Sequence, residues 1–171
     1  MRATILFTIA LSLAACTGGG EAEATAEQSP AATSLAVDLA GHDIPLSIEL
    51  GDPATLGVDS ATVRWSEESG QLSVLAGERF SILVTEERGD IARLKADLAR
   101  DQLRTSTIIE EQPDRIVWRS VFPDDEIVFV HFYRIVEADG RTFIVQDDDR
   151  GRYSEADVAR MMGSVRTRQP V

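Results

Sequence analysis

The sequence IVFVHFYRIV at residues 127–136 decides the layering of the predicted fold, because almost every position in it is apolar. Side chains of a β-strand alternate between the two faces of a sheet, so both faces of this strand are predicted to be buried. The sheet that contains it therefore needs cover on both sides. The charged exception is Arg134, which we expect to emerge at an end of the sheet or to pair with an acid.

Shorter strand patterns lie on either side of this stretch, separated by turn residues. The strongest turn signal is Asp139-Gly140, which is typical of a two-residue β-hairpin. Apolar alternation and β-branched residues predict the strands. Their ranges are residues 44–50, 62–65, 72–76, 79–85, 106–111, 115–122, 126–137 and 142–146.

Two segments have the 3.6-residue periodicity of amphipathic helices. Asp90 precedes apolar residues at helical spacing, which predicts a helix over residues 91–104. Ser154 and Asp157 form a capping-box pattern at the start of a closing helix. Its apolar stripe consists of Val158, Met161, Met162 and Val165. Two helices separated by a run of strands predict an α+β fold, in which a mostly antiparallel sheet is flanked by helices on both faces in α/β/α layers.

The order of these elements resembles that of the PsbP-like fold over residues 35–168. The closing segment SEADVARMMGSV, residues 154–165, contributes to the resemblance. The resemblance implies a binding or assembly module rather than an enzyme. It assigns no functional residue to a position in this chain, because likeness of fold does not identify a site.

The N-terminal sequence MRATILFTIALSLAAC, residues 1–16, has the order of a secretory signal. Its last four residues resemble the lipobox of bacterial lipoproteins. The resemblance implies a signal peptide at residues 1–15 that is cleaved, acylation of Cys16 with palmitate-type chains, and a membrane anchor. A plain secretory signal with a chance cysteine is the alternative. We expect residues 16–34 to be the lipidated cysteine and a disordered tether, and residues 35–171 to be one globular domain.

Residue 17 is a threonine, whereas an aspartate after the cysteine would signal retention in the inner membrane of enteric-type bacteria. The predicted location is therefore the periplasmic face of the outer membrane, or the cell membrane if the organism has no outer membrane. The net charge of the 171-residue chain is −12, which disfavours nucleic acid as a partner. A single cysteine excludes an internal disulfide framework and Cys-rich zinc sites.

Three aromatic residues are candidate ligand-binding residues, because their side chains can stack on a ligand or anchor a partner: Trp65, Trp118 and Tyr133. Packing in the core is the alternative for all three. The two histidines are His42, in a predicted loop, and His131, which we interpret as a core histidine with satisfied polar atoms. Motifs of nucleophilic hydrolases such as GxSxG and SxxK are absent from the sequence, and no catalytic residues are predicted.

The acidic run Asp147-Asp148-Asp149 suggests calcium, but its spacing does not match that of an EF-hand loop. We interpret it as a solvated loop between a strand and a helix, with adventitious divalent binding as the alternative. The residues Asp124-Asp125-Glu126 are predicted to form a turn after Pro123. No metal site and no cofactor are predicted.

Together these observations predict a lipid-anchored protein of the bacterial cell envelope whose domain binds without catalysing a reaction. Its expected partners are the membrane, through Cys16, and an envelope protein or a small ligand. The alternative is a periplasmic hydrolase or transferase that uses carboxylates which the sequence does not single out.

Overall fold

The computed structural model describes residues 34–123 and 127–168. The predicted signal peptide, Cys16, almost all of the tether and the turn at 124–126 lie outside these residues. In chain order, the elements of the described part are β1 (Leu35–Asp38), a 3-10 turn (Ala40–His42), β2 (Leu46–Gly51), α1 (Pro53–Leu56), β3 (Thr62–Ser66), β4 (Gln71–Leu75), β5 (Ser81–Glu86), α2 (Ile91–Arg100), β6 (Thr105–Gln112), β7 (Arg115–Val121), β8 (Val128–Ala138), β9 (Arg141–Asp147), α3 (Glu155–Gly163) and β10 (Val165–Thr167).

The strands form two antiparallel sheets. The larger sheet has seven strands in the order β3-β4-β5-β9-β8-β7-β6, and the smaller has three in the order β1-β2-β10. The hairpin predicted at Asp139-Gly140 connects β8 to β9, and both residues have the positive φ angles that a type I′ turn requires, 52° and 71°. The predicted α+β class and the antiparallel sheet are confirmed.

Strand β8 is buried on both faces along its middle, as its sequence predicts. Val130, Phe132 and Val136 belong to the larger hydrophobic core. Tyr133 belongs to a second, smaller cluster on the other face, where Ile135 packs against it. The cover does not reach the start of the strand, because Val128 is 46% exposed.

The two faces of the seven-stranded sheet are covered differently. The larger core contains buried residues of α3 and of the three-stranded sheet. On the other face, Ile91 and Leu94 of α2 pack against the smaller cluster, but α2 has no fully buried residue. The fold is therefore dominated by strands, with a small second sheet beside α3 and only partial cover from α2.

Helix α2 ends at Arg100, four residues before the predicted end. The Asp101 carboxylate accepts hydrogen bonds from the backbone N–H groups of Leu103 at 2.8 Å and Arg104 at 3.2 Å, and these bonds turn the chain out of the helix. Leu103, which the periodicity places on the apolar stripe, is 73% exposed as a result.

Helix α3 begins with the capping box predicted at Ser154 and Asp157. It ends at Gly163 rather than continuing to Val165. The Ser164 hydroxyl donates to the Met161 carbonyl at 2.7 Å and so satisfies an acceptor of the last turn. Val165 is buried, but as the first residue of β10, where it pairs with Ile48 of β2.

Candidate functional site

An aromatic pair on the face beneath α2 forms the centre of the candidate site. The antiparallel register places Trp118 of β7 directly opposite His131 of β8. Their ring centroids lie 5.4 Å apart at an interplanar angle of 37°. Two residues before His131, the ring of Phe129 is parallel to the imidazole at 6.4 Å. The imidazole therefore has one aromatic neighbour across the sheet and another along its own strand.

A buried carboxylate fixes the orientation of His131. Nδ1 of His131 lies 2.7 Å from Oδ2 of Asp147, and the backbone N–H of Phe132 donates to Oδ1 of Asp147, also at 2.7 Å. The ladder between β8 and β9 ends at Tyr133 and Gln146, so the Asp147 side chain takes the place of a ladder carbonyl. A carboxylate only accepts hydrogen bonds, so the hydrogen of the imidazole is on Nδ1.

The second nitrogen of His131 has no such partner. His131 is 3% exposed, and its Nε2 has no hydrogen bond to any described residue. A buried polar atom without a partner costs about 1 to 3 kcal/mol. The expectation of a satisfied core histidine thus holds for Nδ1 and is wrong for Nε2.

Two adjoining cavities meet at this pair. One has a volume of about 460 Å³ and lies beside the C-terminal half of α2. The other has a volume of about 400 Å³ and lies beside the end of β9. They share four lining residues, Leu94, Trp118, His131 and Asp149. These volumes match the sizes of small-molecule sites.

The charged residues around the cavities are mostly paired with one another. Arg104 contacts Asp101 at 2.9 Å, and Arg150 contacts Asp148 at 3.0 Å. The backbone N–H of Leu103, together with Arg104, lowers the pKa of Asp101. The hydrogen bonds from Arg150 likewise lower the pKa of Asp148.

Asp149 differs from these acids. Its side chain is exposed, lines both cavities and forms no ion pair within the described part of the chain. Its interaction with Arg150 is a longer-range electrostatic one. It is therefore a carboxylate available to a ligand at the mouth of the site.

Of the three aromatic residues predicted to bind a ligand, only Trp118 lines the two cavities. Tyr133 lies on the same strand face as His131 but is buried in the smaller cluster and lines neither cavity. The Tyr133 hydroxyl accepts the backbone N–H of Asp90 at 3.3 Å, and burial raises the pKa of Tyr133. Trp65 is on β3, at the edge of the sheet, and is 47% exposed, so it lies apart from the site.

Arg134 finds a different partner from the acid that the sequence suggests. Its Nη1 donates to the carbonyl of Met162 at 2.9 Å, in the last turn of α3, where the helix dipole favours a cation. Burial lowers the pKa of Arg134. A separate cavity of about 680 Å³ lies beside it, and Asp114 and Glu137 there face Arg88 and Arg134.

The interpretation of the acidic run at 147–149 as a solvated loop is wrong for Asp147, which is the last residue of β9 and is buried. Asp147 is buried with His131, Asp148 pairs with Arg150, and Asp149 is exposed. Among the residues that the structure describes, no group of three or more histidine, cysteine or acidic side chains is arranged to hold a metal ion.

The pairing of His131 with Asp147 is the feature that sequence reasoning missed. A signal for it existed. The two-residue turn at Asp139-Gly140 fixes the register of the β8–β9 hairpin, and counting back from the pair Ala138 and Arg141 places Asp147 opposite Phe132. The register thus places Asp147 within reach of His131 but on the sheet face of Phe132, so the contact itself depends on the end of the ladder at Gln146, beyond which the Asp147 side chain turns to the imidazole.

No helix in residues 34–123 or 127–168 has both the length and the apolar character needed to span a bilayer. The chain matches no protein-family model, no curated protein and no solved structure.

Proposed function

We propose that this chain is a lipid-anchored protein of the bacterial cell envelope, and that its domain binds a small ligand without transforming it. The binding site is the pair of cavities beneath α2. The observation that carries the proposal is that both cavities meet at Trp118 and at His131, whose buried Nε2 has no hydrogen-bond partner among residues 34–123 and 127–168. A concave site with an aromatic wall and few oriented polar groups is typical of ligand recognition.

The binding site can be tested by nuclear magnetic resonance on the full chain in detergent. Three probes of similar shape are added in turn: benzylammonium, benzyl alcohol and benzoate. We expect at least one of them to shift the indole N–H signal of Trp118 and to leave that of Trp65 in place. Shifts confined to Trp65, or none at either tryptophan, contradict the proposal.

A matched pair of variants locates the binding. Leu98 lines the larger of the two cavities, whereas Leu103 projects into solvent. Leu98→Phe adds a ring to the cavity and is expected to weaken probe binding, and Leu103→Phe makes the same change outside it and is expected to have no effect. Equal effects of the two substitutions contradict the assignment of the site.

The same histidine favours one second candidate, a hydrolase or transferase. An imidazole oriented by a carboxylate at 2.7 Å is the arrangement of a general base. Against it, no serine, threonine or cysteine lines either cavity in the described residues, so water would have to be the nucleophile. Saturable hydrolysis of p-nitrophenyl acetate that is lost in His131→Gln would favour the enzyme over the binding protein.

The membrane anchor rests on the sequence LAAC that ends at Cys16. Several acyl chains, each worth about 0.8 kcal/mol per buried methylene, anchor a protein stably. Mass spectrometry of the protein extracted from membranes is expected to find residues 1–15 missing and acyl mass on Cys16. An intact Met1, or an unmodified Cys16 in a soluble form, contradicts the anchor. Thr17 supports the periplasmic face of the outer membrane as the location, which cell fractionation tests.

The finer description of the fold, a PsbP-like domain with helices on both faces of its sheet, belongs to the same proposal. It is supported by the order of α2, the strands β6 to β9 and α3, and by the packing of the two helices against different clusters. A crystal structure in which both helices lie on one face of the sheet would contradict it.

A further inference from the structure

The unpartnered groups of the site identify the chemical class of its ligand. We propose that it is a small organic cation with an N–H donor, held by Trp118, His131 and Asp149. This inference rests on the proposed function, because it concerns the same cavities. It goes beyond that function because it specifies that the ligand is a cation, whereas the volume of the cavities would also admit neutral and anionic ligands.

The first step is the charge around the site. Within the described part of the chain, the cations that line the two cavities are Arg100, Arg104 and Arg150. The acids of the same lining are Asp97, Asp101, Asp147, Asp148 and Asp149. The wall is net negative whether His131 is neutral or protonated, and the net charge of the whole chain, −12, adds to this field. A cation is therefore attracted and an anion repelled.

The second step is the hydrogen bond that the site lacks. Because Nδ1 donates to Asp147, Nε2 of the neutral imidazole is an acceptor. Nε2 is buried and has no hydrogen-bond partner in the described residues. A ligand relieves this only if it brings a donor, as an ammonium group does and a carboxylate does not.

The third step is the remaining side chains of the cavity. The Trp118 indole is the aromatic surface that best attracts a cation. Asp149 supplies a carboxylate without an ion-pair partner among the described residues, at the mouth that both cavities share. Together, an aromatic face, an acceptor and a carboxylate complement an ammonium group on a small apolar body.

The test compares the affinities of the three probes for the full chain, measured from the Trp118 indole signal. We expect the dissociation constant of benzylammonium to be about tenfold lower than that of benzyl alcohol, with benzoate the weakest. Binding of benzylammonium should also shift the Nε2 resonance of His131. The preference should decrease as the salt concentration rises, because salt screens charges at an exposed mouth.

Two matched variants test the role of the carboxylate. Asp149→Asn is expected to remove most of the preference for benzylammonium over benzyl alcohol, because the amide carries no charge. Asp59→Asn makes the same change at an exposed aspartate that lines neither cavity, and it is expected to leave both affinities unchanged. Neither substitution touches the core, so both variants are expected to fold.

The results separate this inference from the proposed function. Equal binding of the three probes at Trp118, or tightest binding of benzoate, overturns the ligand class and leaves the binding site intact. An unchanged preference in Asp149→Asn also overturns the class. Absence of any shift at Trp118 with all three probes overturns both the class and the site.

Discussion

Asp147 shows how one residue holds the site together. Its two carboxylate oxygens accept hydrogen bonds from two groups of β8. One donor is the imidazole of His131, and the other is the backbone N–H of Phe132. A buried carboxylate is costly unless such partners satisfy it. Here the partners connect the end of β9 to the neighbouring strand β8, so the acid acts as a structural link and orients the histidine.

Replacement of Asp147 is therefore expected to be costly. Asp147→Ala leaves the Phe132 N–H and the His131 Nδ1–H without acceptors and should lower the free energy of unfolding by about 2 to 5 kcal/mol. The exposed residue Asp149 provides the control, because Asp149→Ala should change the free energy of unfolding by no more than about 0.5 kcal/mol. Urea denaturation of both variants makes the comparison. Equal costs would mean that the His131–Asp147 pair does not exist in solution.

Tyr153 is a second residue whose surroundings lead to a measurable property. It is buried in the larger core, and burial raises its pKa to about 12. Gly151 allows the close packing of this ring, since a Cβ at that position would lie 2.0 Å from Cζ of Tyr153. The folded state therefore disfavours the tyrosinate form.

This pKa predicts the direction of a pH effect. An unfolded tyrosine loses its proton near pH 10, so the contribution of Tyr153 to stability is complete below about pH 10 and is lost as the pH rises toward the folded value. We expect the free energy of unfolding to fall over this range. The Tyr153→Phe variant has no hydroxyl to ionise at this position, so its free energy of unfolding should fall less steeply with pH. Urea denaturation at several pH values measures both slopes. Identical slopes would show that Tyr153 is not buried in solution.

At the scale of the elements, α3 is the helix with the clearest packing. Met161 is fully buried, and its sulfur lies 3.3 Å from the backbone nitrogen of Ser81. The next residue, Met162, is only partly buried against the same core. The two methionines offer the same side chain in two environments on one helix.

The same substitution at both positions tests this packing. Met161→Ala is expected to lower the free energy of unfolding by about 2 to 5 kcal/mol, because it leaves a cavity in the core. Met162→Ala should cost about 1 kcal/mol, since less apolar surface is lost from the interior. Guanidinium denaturation measures both. A cost at Met162 equal to or larger than that at Met161 would mean that α3 presents a different face to the sheet.

The sequence predicts elements well where local signals decide them. The strands follow from apolar alternation, the Asp139-Gly140 hairpin from turn chemistry and the start of α3 from its capping box. The ends of α2 and α3 do not, because a hydrogen bond accepted by the Asp101 carboxylate and one donated by the Ser164 hydroxyl terminate these helices before their apolar periodicity ends. Strands β1 and β10 are too short to show a pattern and depend on pairing with β2.

The candidate site is predictable only in part for a similar reason. Trp118 is indicated by residue type alone, which does not separate it from Tyr133 and Trp65, neither of which lines the cavities. The orientation of His131, the free carboxylate of Asp149 and the cavities depend on how distant strands and α2 come together. The sequence shows which side chains the chain contains. Which of them come together in one site depends on the strand register and on the packing of several elements.

On the scale of the whole molecule, the small sheet joins the two ends of the described chain. Strand β2 lies between β1 and β10, the first and last strands. Leu35 and Val37 of β1 pack against the larger core, as does the buried Val165 of β10. The segment 17–33, in contrast, has no large apolar side chain. The boundary between sequence that contributes to the core and sequence that does not is therefore expected immediately before β1.

Two truncations test this boundary. A chain that starts at Ser34 keeps β1 and should melt within about 2 °C of the full-length protein, because the sequence of the segment 17–33 offers no large apolar side chain to the core. A chain that starts at Leu39 also loses β1 and should melt at least about 4 °C lower, because the apolar surface beneath Leu35 and Val37 becomes exposed. Thermal unfolding followed by circular dichroism compares the three chains. A large loss in the first truncation would show that the segment before β1 docks on the domain, and no loss in the second would show that β1 is not an integral strand.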